Sequence, residues 1–218
     1  MKKLVSCIAI AVMLSATFGL LAQNQPKAKV IIVNMTGKNA THVYGDRFNA
    51  KIQTLEIFNY GEYSVNRLTA SFSNSNLEVI EVEAPLYFTN APLLNFIGSP
   101  TNNTKMWLTD LQSKYDADYL IMIKRKFVPE ENISERFLEK QEYGVATYNY
   151  APDVLSIFSF VGYFVFSVKD MKVIKMNSNH EKYVVTDIPL ERSLNMGELR
   201  VIPDEYLKMA KEQLKYIA

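Results

Sequence analysis

The chain has 218 residues, of which 48% are hydrophobic and 22% are charged, and it carries a formal net charge of +1 at pH 7. That length and apolar fraction suit a folded domain with a sizeable core, and the near-neutral charge argues against a nucleic-acid partner. The single cysteine, Cys7, lies close to the amino terminus, so residues beyond it offer neither a disulfide nor a cysteine metal site.

The first 22 residues have the pattern of an export signal. In order, they contain Lys2 and Lys3, an apolar run over Leu4–Leu14, and the small residues Gly19 and Ala22. Removal of this segment with its two lysines would lower the net charge from +1 to −1 and leave residues 23–218 as one exported domain. We therefore expect a periplasmic or secreted protein, and the lysine-rich start is typical of bacteria.

The letters LVSC at Leu4–Cys7 resemble a bacterial lipoprotein box. Such a box follows the apolar core of a signal, whereas this one begins it. We therefore expect soluble export rather than lipid anchoring at Cys7.

In the first half of the chain, the β-branched run Lys29–Met35 predicts a buried strand. Apolar residues near helical spacing from Asp46 to Ile57, and again over Val65–Phe72, predict one broken helix or two short ones. The alternation in Leu77–Val82 predicts a half-exposed strand, and the proline-rich segment Ala84–Asn103 predicts a long connection or lid.

The central segment carries the clearest architectural pattern. Thr104–Tyr115 places an apolar stripe on one helical face, and a turn at Asp116–Asp118 leads directly into the apolar run Tyr119–Ile123. The sequence therefore predicts a helix, a tight turn and a buried strand. Asp116 and Asp118 could pair for acid–base chemistry or calcium, but helix-ending turn chemistry and strand solvation explain them better.

The second half is rich in strands and closes with a helix. Pro129–Gln141 predicts a loop or short helix. Strands are expected from Tyr143, over Val154–Val168 and, after a turn at Lys169 and Asp170, over Met171–Met176. A further strand at Tyr183–Thr186 is possible. Pro203 opens a predicted carboxy-terminal helix in which Leu207, Ala210, Leu214 and Ile217 share a face.

Four phenylalanines would lie on one face if Val154–Val168 were a single extended strand. They are Phe158, Phe160, Phe164 and Phe166. The preferred interpretation is a core strand packed under helices. The alternative is an apolar surface for a partner, or a membrane hairpin formed by residues 154–176, since a membrane-spanning strand needs about 9 to 11 residues.

Candidate catalytic or metal-binding residues lack the spacing that their chemistry needs. His42 and His180 stand in polar segments without a second ligand nearby, so we expect solvent-exposed loop histidines. The basic run Lys124–Lys126 is interpreted as a solvated strand edge. The chain has no serine-hydrolase elbow, P-loop or dinucleotide fingerprint, so we assign no catalytic, cofactor-binding or metal-binding residue and expect no cofactor.

The element order resembles a group of bacterial envelope α/β domains: the amino-terminal domain of TolB, the penicillin-binding-protein activator LpoB and the curli channel subunit CsgG. The residues that carry the resemblance are Lys29–Met35, Leu77–Val82, Leu111–Ile123 and Phe164–Ile174. The long, aromatic-rich segment Thr36–Asn76 departs from the group, and no TolB-type propeller follows. The resemblance implies a non-enzymatic envelope domain that binds a protein partner or assembles.

The expected fold is a single α/β domain, with a mixed sheet, helices packed on it and a carboxy-terminal helix. The expected function is binding to, or assembly with, another envelope protein, without catalysis. Two alternatives stay open: a pore or secretion-channel subunit that uses residues 154–176 as a membrane hairpin, and an enzyme of unknown class.

Overall fold

The computed structural model describes residues 27–46, 49–85, 88, 92–95, 98–125, 138, 140–176 and 186–218. The strands are β1 (Ala28–Asn34), β2 (Ala40–Asp46), β3 (Asn49–Leu55), β4 (Leu77–Glu81), β5 (Tyr119–Arg125), β6 (Tyr143–Tyr148), β7 (Ala151–Ser159), β8 (Val161–Ser167), β9 (Lys172–Met176) and β10 (Thr186–Pro189). The helices are α1 (Tyr60–Phe72), α2 (Asn102–Tyr115), α3 (Met196–Arg200) and α4 (Asp204–Ile217). The expected α/β class, with packed helices and a carboxy-terminal helix, is confirmed.

The described strands form two mixed five-stranded sheets, where the sequence suggested one. The chain divides into two compact units: the first takes its described residues from 27–35, 64–123 and 163–176, and the second from 36–63, 124–162 and 186–218. The first sheet has the order β4-β1-β5-β8-β9, and the second has the order β10-β7-β6-β2-β3.

Strand β1 is an interior strand of the first sheet. It pairs in parallel with β4 on one side and with β5 on the other. Val30–Val33 are completely buried although successive side chains point to opposite faces. Both faces of the sheet are therefore covered, as is usual for parallel strands, and this explains the uninterrupted apolar run in the sequence.

Helix α2 covers one face of this sheet. Its residues Trp107, Leu108 and Leu111 share a core cluster with Ile31 of β1 and Leu120 of β5. The helix begins behind Thr101, whose side chain accepts a hydrogen bond from the Thr104 backbone N–H. It ends at Asp116, which adopts the left-handed conformation. The predicted order of helix, turn and buried strand is confirmed.

In the second unit, α4 packs against strand β7 of the second sheet. Tyr206, Ala210 and Leu214 are its buried residues, while Leu207 and Ile217 of the predicted face are half-buried. Pro203 immediately precedes the first helical residue, Asp204, where proline's fixed backbone angle favours helix initiation.

The helix predicted between Asp46 and Ile57 is wrong. Residues 40–46 and 49–55 form the antiparallel pair β2–β3, with Ala40 opposite Leu55 and Asp46 opposite Asn49. Strand β2 also pairs in parallel with β6, so the backbone satisfies its hydrogen bonds within the sheet rather than in a helix. The helical spacing is coincidental here, since Ile52 of the proposed apolar face is 51% exposed. The second half of the prediction is confirmed by α1.

The single strand predicted over Val154–Val168 is also wrong. Strand β7 ends at Ser159, Phe160 is not in a strand, and β8 begins at Val161 in the other sheet. Residues 154–176 therefore do not form one hairpin. The turn at Lys169 and Asp170 is confirmed, because it joins β8 to β9.

Several predictions fall partly or wholly outside the described residues. The export signal and most of the predicted loop Pro129–Gln141 lie there, and so does the strand at Tyr183–Thr186, except for Thr186, which begins β10. Within the predicted connection Ala84–Asn103, Phe88 and Leu93 join the core cluster beside α2. That connection thus contributes to the core of the first unit.

Candidate functional site

The four phenylalanines do not form a common surface. Phe158 and Phe160 belong to a core cluster of the second unit, with Val43 and Ala146. Phe166 is completely buried in the core cluster of the first unit, and the half-buried Phe164 packs against that same cluster. The break at Phe160 therefore sends the two pairs into different cores, and all four side chains are buried or half-buried.

The two aspartates at the end of α2 have separate structural roles. Asp116 caps the helix, and its backbone N–H donates to the Gln112 carbonyl at 2.9 Å. The Asp118 carboxylate accepts from the Lys29 backbone N–H at 2.8 Å and pairs with the Lys169 ammonium at 2.5 Å. The turn interpretation is thus confirmed for Asp116, whereas Asp118 joins the start of β1 to the β8–β9 turn.

The basic run is less exposed than a solvated edge. Lys124 and Arg125 are half-buried, Lys126 lies outside the described residues, and burial lowers the pKa of Lys124. The Arg125 guanidinium Nε donates to the Gln141 carbonyl at 3.0 Å, so this side chain holds neighbouring backbone. The residue after Gln141, Glu142, accepts a hydrogen bond from the Gly37 backbone N–H. Burial raises the pKa of the Glu142 carboxyl group.

His42 is the largest departure from the sequence expectation. It lies in β2, not in a loop, and its exposed fraction is 0%. Its imidazole contacts Thr147 of β6 through Nε2 at 2.9 Å and Gln53 of β3 through Nδ1 at 2.9 Å. The exposed-loop prediction is wrong because β2 is a buried central strand. His180 lies outside the described residues, and the described part of the chain contains no cluster of three or more metal-ligating side chains.

The two sheets have four edge strands, and three of them carry features that hinder further pairing. Strand β9 has a bulge at which Ile174 has no partner residue, and it carries Lys172 and Lys175. Strand β10 has only four residues and ends at Pro189. Strand β4 has five residues and two glutamates. Short length, bulges, charges and proline are the usual means of protecting an edge.

The fourth edge, strand β3, has fewer of these protections. It has seven residues, its register with β2 is unbroken from Asn49 to Leu55, and it contains one lysine and no proline. Its side chains are half-buried or exposed throughout. Among the described strands, β3 is therefore the edge best suited to accept another strand.

The hydrogen-bond pattern shows which residues of β3 face outward. The Gly45 carbonyl accepts from the Asn149 backbone N–H, so it points away from β3, and Gly45 is opposite Ala50. In an antiparallel pair, both residues of such a position direct their backbone groups away from each other, and the pattern alternates. Ala50, Ile52 and Thr54 therefore present their N–H and C=O groups along the open edge.

Neither the open edge nor the buried histidine was found from the sequence. The pairing of β2 with β6 brings together residues about one hundred positions apart, and no local pattern reports it. One signal was present: the alternation of Ala50 and Ile52 with Lys51 and Gln53 fits a strand.

Comparison with known proteins adds no assignment. No protein-family model, curated protein or solved structure matches this chain. Among the described residues, no helix is both long and apolar enough to cross a membrane.

Proposed function

We propose that this chain is an exported, non-enzymatic protein of a bacterial cell envelope that binds another envelope protein, and that the partner adds an extended segment to the edge of β3. The observation that carries the proposal is the contrast among the sheet edges. Three edges are short, bulged or charged, whereas β3 offers seven residues in regular register. Strand addition is a common mode of protein recognition because the main chain supplies the affinity.

The side chains on β3 fit this mode of binding. Ile52 is 51% exposed and lies between Lys51 and Gln53, so an added strand could cover an apolar side chain on one face. Lys51 on the opposite face favours a partner segment that carries an acidic residue at the matching position. The occupant we propose is therefore an extended, apolar segment with an acidic side chain.

A non-catalytic role is supported by what the candidate acid–base groups do. Both imidazole nitrogens of His42 are engaged inside the sheet, and Asp118 holds the Lys29 backbone and the Lys169 ammonium. Export is supported by the signal pattern at residues 1–22, and an envelope location by the element order.

Site-specific photo-crosslinking in living cells tests this proposal. A photoreactive amino acid is placed at Lys51 on β3 or, as a matched control, at Lys172 on the bulged edge β9; both positions are exposed. We expect a cross-linked product with one other envelope protein from position 51 and none from position 172. Absence of a product, or a product containing only two copies of this chain, would contradict the proposal.

Two variants then test whether the backbone carries the contact. Ile52→Pro removes an outward N–H without removing a β2–β3 hydrogen bond, whereas Ile52→Thr keeps the N–H and shortens the side chain. We expect the cross-link at position 51 to disappear with Ile52→Pro and to persist with Ile52→Thr. Equal yields from the two variants would show that strand addition does not occur.

A further inference from the structure

The second unit contains a chain of hydrogen bonds that is complete only while His42 is neutral. The Thr147 hydroxyl donates its single proton to the Leu199 carbonyl at 2.7 Å. Its oxygen must therefore accept from His42 Nε2, at 2.9 Å, and so the imidazole proton is on Nε2. His42 Nδ1 is then an acceptor, and Gln53 Nε2 donates to it at 2.9 Å.

Gln53 extends this chain to helix α3. The same Gln53 amide nitrogen donates its second proton to the Arg200 carbonyl at 3.0 Å. Leu199 and Arg200 are the last two residues of α3, so its carboxy-terminal end is tied to both β6 and β3. These carbonyls have no partner within the helix itself, which is why side chains of the sheet can hold them.

A second proton on His42 cannot be accommodated in this arrangement. It would place an N–H donor at Nδ1, directly opposite the Gln53 N–H donor. If the Gln53 amide rotated to accept it, the amide oxygen would face the Arg200 carbonyl oxygen, and that hydrogen bond would be lost. The new charge would also lie at a position with no exposure, among neutral groups, which is energetically unfavourable unless water enters.

We infer that His42 is an acid-operated latch: its protonation breaks the Gln53–Arg200 hydrogen bond and opens helix α3 from the sheet. The latch acts within the second unit and is independent of whether β3 receives a partner. Acidification would thereby hydrate the end of α3, where Met196 and Val201 are already 72% and 70% exposed. An exported protein experiences the pH of its surroundings more directly than a cytosolic one.

The other ionisable groups near His42 do not account for an opening of α3 at acid pH. Those carried by the elements around His42 are Tyr44 and Asp46 on β2, Lys51 on β3, Tyr143 and Tyr148 on β6, and Glu198 and Arg200 on α3. Burial alone lowers the pKa of His42 from 6.5 to about 4, with no contribution from those charges. Glu198 titrates lower, because Arg192 and the Asn195 N–H lower its pKa to about 2.

Glu142 is the group most able to imitate the latch, because burial raises the pKa of its carboxyl group. It holds the Gly37 N–H and lies in the same unit. The variant Glu142→Gln keeps an oxygen acceptor there and removes the titration, so it is the appropriate control background.

The test follows two signals in the mature chain between pH 7 and pH 3.5. The ¹⁵N shifts of the His42 ring report its protonation, and amide hydrogen exchange reports the helix through Leu199 and Val201, whose N–H groups bond within α3 at 2.9 Å. We expect protection of these two amides, corrected for intrinsic rates, to fall at least tenfold as the ring titrates, in wild type and in Glu142→Gln. The Leu108 amide in α2 should stay protected.

Two substitutions separate the latch from a structural role for His42. His42→Asn offers an oxygen near the Nδ1 position and does not titrate, so α3 should stay protected at acid pH. Gln53→Glu removes the N–H donor to the Arg200 carbonyl at every pH, so α3 should lose its protection already at pH 7. A protonated ring with α3 still protected, or opening of α3 that persists in His42→Asn, would overturn the proposal.

Discussion

Gly144 in β6 provides a direct test of the parallel pairing between β2 and β6. It lies opposite Thr41, and a Cβ atom there would come within 1.8 Å of the Thr41 carbonyl oxygen and 2.7 Å of its backbone nitrogen. Ordinary contact begins near 3.4 Å, so in Gly144→Ala the two strands would have to separate by about 1.5 Å. Main-chain hydrogen bonds of about 2.9 Å do not survive such a shift.

The expected cost follows from the number of bonds affected. A buried backbone group left without a partner costs about 1–3 kcal/mol, and at least two are affected beside Gly144. We therefore expect Gly144→Ala to lower the free energy of unfolding by about 3–5 kcal/mol. Gly45→Ala is the matched control, because its Cβ would lie 3.5 Å from the nearest atom and its φ of +115° adds only backbone strain. Its expected cost is about 1–2 kcal/mol.

Urea unfolding followed by circular dichroism measures both variants against the wild type. The urea midpoint of Gly144→Ala should lie well below that of Gly45→Ala, and the dependence of the unfolding free energy on urea concentration should be unchanged if the native fold is kept. If Gly144→Ala costs no more than Gly45→Ala, then β2 and β6 are not paired at this position.

Three further predictions concern single positions. Phe158→Ala should lower the free energy of unfolding in urea by about 3–5 kcal/mol, and Phe164→Ala should lower it clearly less, because Phe158 is completely buried and Phe164 is half-buried. Equal losses of stability would contradict the core assignment. Asp116→Gly should raise stability by up to about 1 kcal/mol, because Asp116 has a φ of +52° at the helix end, and destabilisation would contradict this. Between pH 6.5 and about 4 the unfolded chain binds a proton at His42 that the folded chain does not, so the free energy of unfolding should fall by about 3 kcal/mol as the pH decreases through that interval. His42→Asn should remove this part of the pH dependence. An unchanged pH dependence in that variant would assign it to other groups.

Segments whose burial follows from their own residues were predicted well. The run Lys29–Met35 is apolar on both faces, and the structure buries it on both faces. Helix α2 and the strand after it follow from an apolar stripe and a turn residue, all within about twenty positions. The carboxy-terminal helix likewise needs only its own amphipathic spacing and dipole-matched charges.

Segments whose structure depends on a distant partner were predicted poorly. The apolar residues from Asp46 to Ile57 approximate a helical spacing, but β2 pairs with β3 and with the distant strand β6, and this pairing overrides local preference. The apolar stretch after Val154 reads as one strand, yet it changes sheets at Phe160, because each sheet completes its own core with part of it.

The sequence by itself therefore determined the α/β class, the buried strand β1 and the helices α1, α2 and α4, since periodicity and capping act over a few neighbouring residues. Only the tertiary structure decided that the described strands form two sheets, that β3 lies at an edge among them and that His42 is enclosed by Gln53 and Thr147. Those features depend on which strands become neighbours, and strand pairing is set by the energy of the whole assembled core rather than by any segment alone.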